Sequence, residues 1–138
     1  MGRITIELEI VNNEDLVESK LGHRDPTNVR RKIIQGIVDP GAAELVLPKA
    51  VIDELGLPLK PKKVPVKYAD GRRSSRAVAD EIRLFLLGRD GLFKAIVEPK
   101  RETALIGAIV LEDLDLLVDC KKQRLVPRDP EGPMYEIE

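Results

Sequence analysis

Ile37-Val38-Asp39-Pro40-Gly41-Ala42-Ala43-Glu44-Leu45-Val46-Leu47-Pro48 is the stretch on which the fold turns. An apolar run leads into an acid, a Pro-Gly pair and two alanines, and a second apolar run follows. Asp before Pro is pushed toward an extended conformation, as at a strand end. Pro fixes φ for a turn, and Gly accepts positive φ. Taken alone, Asp39-Pro40-Gly41 is first of all a β-turn that leaves a carboxylate at the mouth of a hydrophobic strand.

The flanking sequence supplies many short elements. Ile4, Ile6, Leu8 and Ile10 alternate with Arg3, Thr5, Glu7 and Glu9, the pattern of a half-buried strand. Asn12-Asn13 breaks it, and the polar stretch from Asn13 to Thr27 offers only a short helical turn over Glu14 to Val17. Val29 to Val38 predicts the strand that delivers Asp39. Pro48 to Leu55 predicts a short helix, with Pro in its first turn, Val51, Ile52 and Leu55 on one face, and Gly56 as its stop. A proline-stiffened connector, Leu57 to Lys63, leads to an alternating strand at Val64, Val66 and Tyr68 and a turn at Asp70-Gly71. Ala77 to Leu87 is a long strand with Ile82, Leu84 and Leu86 on one face. Gly88 to Gly91 is a hairpin turn, and Leu92 to Val97 returns from it. Gly107 to Leu114 predicts a second short helix. Leu116 to Asp119 and Arg124 to Val126 pair around the turn between them. The segment from Pro127 to Glu138, rich in proline and acid, is expected on the surface. Many short strands, two short helices and turns every eight to twelve residues predict a mainly β barrel or sandwich.

Composition narrows the function classes. The 138 residues suit one domain, and 43% hydrophobic content is enough for a core. Aromatics are 3%, so that core must be built from Leu, Val and Ile. A net charge of -1 gives no global attraction to nucleic acid or anionic membrane. No apolar run approaches the ~20 residues needed to span a bilayer. The N-terminal alternation is not that of a signal peptide, and Gly2 followed by Arg3 is not read as a myristoylation start. One cysteine, Cys120, cannot form an internal disulfide and fits a reducing, cytoplasmic setting. A single histidine, His23, gives little support to a metal site or a His-based triad. The basic runs Arg30-Arg31-Lys32, Lys60 to Lys63 and Arg72-Arg73 are balanced by acids and are read as solvated faces. No Gly-rich phosphate loop sits between a strand and a helix.

Together, Ile37 to Ala42, Leu45 to Pro48 and Leu55-Gly56-Leu57 resemble the N-terminal signature of the retropepsin-like aspartic proteases. In that family apolar residues lead into Asp-Thr-Gly-Ala, and a short helix ends in Leu-Gly-Leu. Leu105-Ile106-Gly107, followed by a short helix and Leu116 to Asp119, is similar to the family's second element. With the strand from Ile33 that leads into Asp39 and the closing Arg124-Leu125-Val126-Pro127, which is also similar to the family's, these pieces run from Ile33 to Pro127, about two thirds of the chain. The resemblance implies a retropepsin-like acid protease β-barrel, one lobe per chain, over residues 1–127, with 128–138 as a C-terminal tail, and a dimer closed by a sheet of chain ends for which the N-terminal strand, Arg3 to Ile10, and the tail, Met134 to Ile137, are both candidates. It implies an aspartic-type endopeptidase in which Asp39 is catalytic. Gly41, Ala42, Ala43 and Glu44 would line the substrate groove with Ala108. Tyr68, Ala69, Asp70 and Gly71 fall where the family carries its flap. No cofactor or metal is expected.

Aspartic protease chemistry needs two carboxylates sharing a proton. The chain has one Asp in the required setting, because Asp70, Asp90 and Asp119 stand in other turns or strand ends. The second carboxylate is therefore expected from a second copy in a C2 homodimer acting on a peptide or protein substrate. In active relatives Thr or Ser follows the Asp and its hydroxyl crosses the dyad. Pro40 has neither hydroxyl nor N–H, which supports an alternative: a weak or inactive module of the same fold that binds peptide or only dimerises. Ala43 and Ala108 stand where retroviral members often carry an acid and a paired Arg.

Overall fold

The computed structural model describes residues 3–138, so the reading at Gly2 lies outside the described residues. The first strand, β1 (Ile4–Asn12), buries Ile4, Leu8 and Ile10 and exposes Thr5 and Glu7, as its alternation requires. It runs on to Asn12, which serves two elements. Its Oδ1 accepts from the Asp15 N–H at 3.1 Å and caps the helix α1 (Asn13–Lys20), while its Nδ2 donates to the Leu55 carbonyl at 2.9 Å. Glu14 and Asp15 in the first turn and Lys20 in the last suit the helix dipole. This helix is longer than the single turn expected, and it adds a third helix to the two predicted. Its buried residues are Asn13 and Asp15, so no apolar stripe announced it.

Asp15 is the buried end of a charged clamp. Arg30 reaches it with Nε at 2.8 Å and Nη2 at 3.0 Å, the Arg30 backbone N–H adds a third bond at 3.0 Å, and Arg24 lies 3.3 Å away. The Arg30 hydrogen bonds hold the Asp15 carboxyl below its ordinary value, against the opposing effect of burial.

Six strands close into a barrel in the order β1, β2 (Arg31–Val38), β8 (Ala104–Ile106), β3 (Leu45–Pro48), β7 (Arg89–Glu98), β6 (Val78–Leu86). The strand β8 lies between β2 and β3. It runs parallel to β2, with Val38 opposite Ile106, and antiparallel to β3, with Leu45 opposite Ile106. β3 runs parallel to β7, with Val46 opposite Ile96, and β6 returns to β1, with Leu84 opposite Ile10. The interior is aliphatic: Ile10, Leu45, Leu47, Ile82, Leu84 and Ile106 are fully enclosed, and Phe93 is the one aromatic ring in the buried cluster. Each such side chain contributes about 1.5–3 kcal/mol by leaving water. Gly36 belongs to this packing, since a Cβ there would stand 2.8 Å from the Leu8 Cδ2 and 2.9 Å from the Ile106 Cδ1.

Outside the barrel, α2 (Lys49–Leu55) buries Val51, Ile52 and Leu55 and stops at Gly56, whose φ of 60° is the left-handed cap glycine favours. The strands β4 (Val64–Lys67) and β5 (Arg73–Arg76) form a separate hairpin. A third helix, α3 (Ala108–Asp113), is followed by the paired β9 (Leu116–Asp119) and β10 (Arg124–Pro127). The segment beyond β10 is largely exposed, as expected, but it is tied down. Asp115 accepts from Arg128 Nε at 2.6 Å and from the Met134 N–H at 3.0 Å.

Three differences from the sequence reading have physical causes. The strands β3, β5 and β8 span three or four residues, too short to show a period, and Arg73-Ser74-Ser75-Arg76 has no apolar residue. The turn expected at Gly88 to Gly91 is tighter, and Arg89 already belongs to β7. Arg89 is buried because its guanidinium donates to the Leu114 and Asp115 carbonyls, both at 2.8 Å, and to that of Asp129. Finally, β6 carries a bulge between Ala79 and Ile82, with Glu81 at φ 58°.

Candidate active site

Where β2 ends, the backbone turns under Asp39. The Asp39 N–H donates to the Ile106 carbonyl at 3.0 Å, so the insertion of β8 beside β2 fixes where the acid emerges. The Asp39 carbonyl accepts from the Ala42 N–H at 3.1 Å, and the Gly41 N–H donates to Asp39 Oδ1 at 3.0 Å. Pro40 takes the turn position at which no N–H is required. Gly41 is not in the left-handed region, contrary to the turn reading. Its value is a close approach: a Cβ there would lie 3.2 Å from the carboxylate oxygen it binds. In the single chain the Asp39 side chain is exposed and is ion-paired to no cation among the described residues.

The loop that follows is locked to α3 through backbone alone. Ala108 N–H donates to the Ala42 carbonyl at 2.7 Å, and Ile109 N–H to that of Ala43 at 3.0 Å. The contact is close enough to require Gly107, where a Cβ would stand 2.3 Å from the Glu44 carbonyl oxygen and 2.8 Å from that of Ala42. The two segments that carry Ala43 and Ala108 are thus joined through the main chain, with no acid–arginine pair.

A cleft of about 780 Å³ opens between this loop, the outer faces of β3, β7 and β8, and the β4–β5 hairpin. Asp39, Gly41, Ala42, Ala43, Glu44, Tyr68 and Ala69 line it together. Asp70, Gly71 and Ala108 do not. Asp70 and Gly71 form the hairpin tip, where Gly71 at φ 88° closes the turn and Asp70 accepts from the Arg72 N–H at 3.0 Å and its Nε at 2.7 Å. These bonds, the backbone one foremost, hold the Asp70 carboxyl below its ordinary value. Ala108 lies behind the Asp39 loop, at the start of α3.

Sequence reasoning missed the floor of this cleft. Val46, Ile96 and Leu105 line it, each between two buried neighbours on its own strand and so facing outward. The available signal was an apolar residue at an outward position, where a solvated face would carry a polar one. Also missed were Val64 and Val66 on the hairpin and Lys94, Glu98 and Arg101 at the edge.

The hairpin is fastened to the end of β7 through Tyr68. The Tyr68 hydroxyl donates to Glu98 Oε1 at 2.7 Å, and Glu98 also pairs with Arg76 Nε. Arg72 and Arg76 stand 4.9 and 5.8 Å from the centroid of the Tyr68 ring. The hydrogen bond to the Glu98 carboxylate, with some burial, pushes the Tyr68 hydroxyl above its ordinary value.

The remaining candidates are engaged elsewhere or isolated. Asp90 pairs with Arg83 at 3.2 Å, and Asp119 accepts from the Lys122 N–H at 3.0 Å. The basic run is matched intramolecularly: Arg30 by Asp15, Arg31 by Glu9 at 3.6 Å and Lys32 by Glu54 at 2.9 Å. His23 and Cys120 are exposed. Among the described residues no group of three His, Cys, Asp or Glu side chains could hold a metal ion, and no helix is long and apolar enough to cross a membrane.

No protein-family model matches the chain, and no curated protein matches it. Among solved structures it is similar to the EIAV protease complexed with the inhibitor HBY-793. The TM-score is 0.56 at 16% identity, over 81% of this chain and 88% of that one. At that identity the likeness shows the fold: a mainly β, retropepsin-like barrel.

Proposed function

We propose that this protein is an aspartic-type endopeptidase working as a homodimer, with Asp39 of each chain forming one shared dyad. The observation that carries the reading is the setting of Asp39: a carboxylate at the end of a barrel strand, held by the Gly41 N–H at 3.0 Å and opening into a cleft roofed by a hairpin. The other candidate aspartates, Asp70, Asp90 and Asp119, have partners of their own, and we take a second copy as the source of the second carboxylate. Two carboxylates ~3 Å apart cannot both ionise, so the pair holds one proton between them. The ionised member takes a proton from water as the water oxygen attacks the scissile carbonyl carbon. The protonated member gives its proton to the carbonyl oxygen. Collapse of the tetrahedral adduct breaks the C–N bond, and the amine leaves with a proton returned from the dyad.

The dimer we propose uses residues 1–127 as the working domain and draws on the chain's ends. Two segments offer surface for it. β1 pairs with β6 only from Glu9 to Asn12, so the preceding residues have a free edge on that side. In the tail, Tyr135 and Ile137 are 69% and 92% exposed. A single free cysteine suits a reducing compartment, and we place the protein in the cytoplasm.

Pro40 favours a second reading, in which the same dimer binds extended peptides with weak or no cleavage. It removes the hydroxyl that would cross the dyad, and with it a buried hydrogen bond worth ~1 kcal/mol per chain. The test is incubation with an unfolded protein from pH 3 to 7, with and without pepstatin. Pepstatin-sensitive cleavage abolished by Asp39→Asn supports the peptidase. A silent parent whose Pro40→Thr variant cleaves supports the second reading. Silence of both, in a monomeric protein, contradicts both.

A further inference from the structure

The charge of the chain is unevenly placed. The twenty residues from Leu57 to Arg76 hold four lysines and three arginines against one acid, Asp70, although the whole chain has a net charge of -1. Three of these cations are matched: Lys60 by Asp80 at 3.9 Å, Arg72 by Asp70 at 2.7 Å, and Arg76 by Glu98. Lys62, Lys63, Lys67 and Arg73 are exposed and are ion-paired to no carboxylate among the described residues. The balance by acids expected of the basic runs thus holds here for Lys60 and Arg72 but not for Lys62, Lys63 and Arg73. The register makes the imbalance costly. Lys67 lies directly opposite Arg73 across β4 and β5, and like charges so placed destabilise a strand pair. Lys62 and Lys63 immediately precede β4, so all four unmatched cations belong to one hairpin and its approach.

We infer that the β4–β5 hairpin is a docking surface for an acidic stretch of polypeptide, with Lys62, Lys63, Lys67 and Arg73 as the groups that hold its carboxylates. This goes beyond the peptidase reading, because no group of the Asp39 loop takes part. Four residues of extended chain, the separation of Lys63 and Lys67, cover about 13 Å, which four or five residues of an extended partner match. A carboxylate set between Lys67 and Arg73 offsets their repulsion, so docking also steadies the hairpin. Two observations favour a polypeptide over a nucleic acid. The hairpin's one ring, Tyr68, is already engaged by Arg72 and Arg76, 4.9 and 5.8 Å from its centroid, and by Glu98, which leaves no free platform for a base. Acids also outnumber bases over the rest of the chain, so a long polyanion running off the hairpin meets repulsion that a short acidic stretch avoids. Lys67 lines the cleft as well, so a chain docked on the hairpin lies at the cleft's rim.

The test is fluorescence anisotropy at pH 7 with three labelled probes: a Gly-Ser peptide carrying four consecutive glutamates, its counterpart with four glutamines, and an oligothymidylate of similar length. The wild-type chain is expected to bind the glutamate peptide about tenfold more tightly than the glutamine peptide at low salt, with the ratio shrinking as salt rises. K62E/K63E and, separately, R73E are expected to remove most of that preference. K121E/K122E changes the net charge as much as K62E/K63E does, in the turn between β9 and β10, and is expected to leave the preference nearly intact. Hydrogen exchange with the glutamate peptide bound is expected to slow in residues 64–76. Equal affinity for the two peptides overturns the inference, as does an equal loss in K62E/K63E and K121E/K122E, which would reduce the effect to net charge. Protection confined to elements other than the hairpin contradicts the site, and tighter binding of the oligothymidylate than of the glutamate peptide contradicts the partner.

Discussion

Asp39 is held by three backbone relations: its N–H on Ile106, its carbonyl on Ala42 and its carboxylate on Gly41. None of them uses the side chain of residue 40, so the loop keeps its path with Pro there. Asp39→Asn is accordingly expected to leave the melting temperature nearly unchanged and to lower peptidase activity by about 10²–10⁴-fold, measured on an unfolded protein substrate. In the dimer we propose, Pro40→Thr places a hydroxyl beside the dyad and is expected to raise activity. Gly107 is the opposite kind of residue, chemically silent and sterically fixed. With the Glu44 carbonyl oxygen 2.3 Å from the position of its absent Cβ, Gly107→Ala is expected to destabilise the chain by about 1–3 kcal/mol in urea unfolding. Activity should fall with it, because the displaced segment is the Asp39 loop itself.

At the scale of elements, the α1 clamp and the hairpin respond to different variables. The Asp15 carboxyl sits below its ordinary value of 3.8 because Arg30 binds its charged form. A group whose folded value is depressed contributes its stability in full above the unfolded value and loses it as pH falls through the folded one. Asp15→Ala is therefore expected to cost about 2 kcal/mol at neutral pH. In urea titrations across pH, the difference from wild type should narrow below 3.8; a difference that stays constant down to the lowest pH contradicts the clamp. The hairpin hangs on Tyr68, Glu98 and Arg76. Tyr68→Phe removes one bond and leaves the ring, so faster hydrogen exchange confined to residues 64–76 is the expected result, with the barrel strands unchanged. The elements also differ in how openly the sequence displays them. Strands with one buried face, β1 and β6 above all, announce themselves by alternation. The helix α1 is hidden because it is fixed by a cap and a buried acid, and β8 because three residues acquire meaning only from the strands on either side.

For the whole molecule, the barrel order places β8 between β2 and β3, so that the acid, the apolar floor and the start of α3 converge from segments far apart in sequence. This explains why the Asp39 loop and the hairpin were legible as motifs while Val46, Ile96 and Leu105 were not. The motifs are local, whereas the floor is made by strand neighbours that no spacing along the chain reveals. It also leaves Asp39 exposed in the single chain, where the dimer we propose would bring its symmetry mate. The most direct measurement holds the wild-type concentration fixed, adds increasing amounts of the Asp39→Asn chain, and follows cleavage of an unfolded protein at the pH of highest activity. A dyad shared between two chains predicts that activity falls as wild-type chains are drawn into mixed dimers. Activity that is indifferent to the added variant, or no cleavage at any ratio, contradicts it.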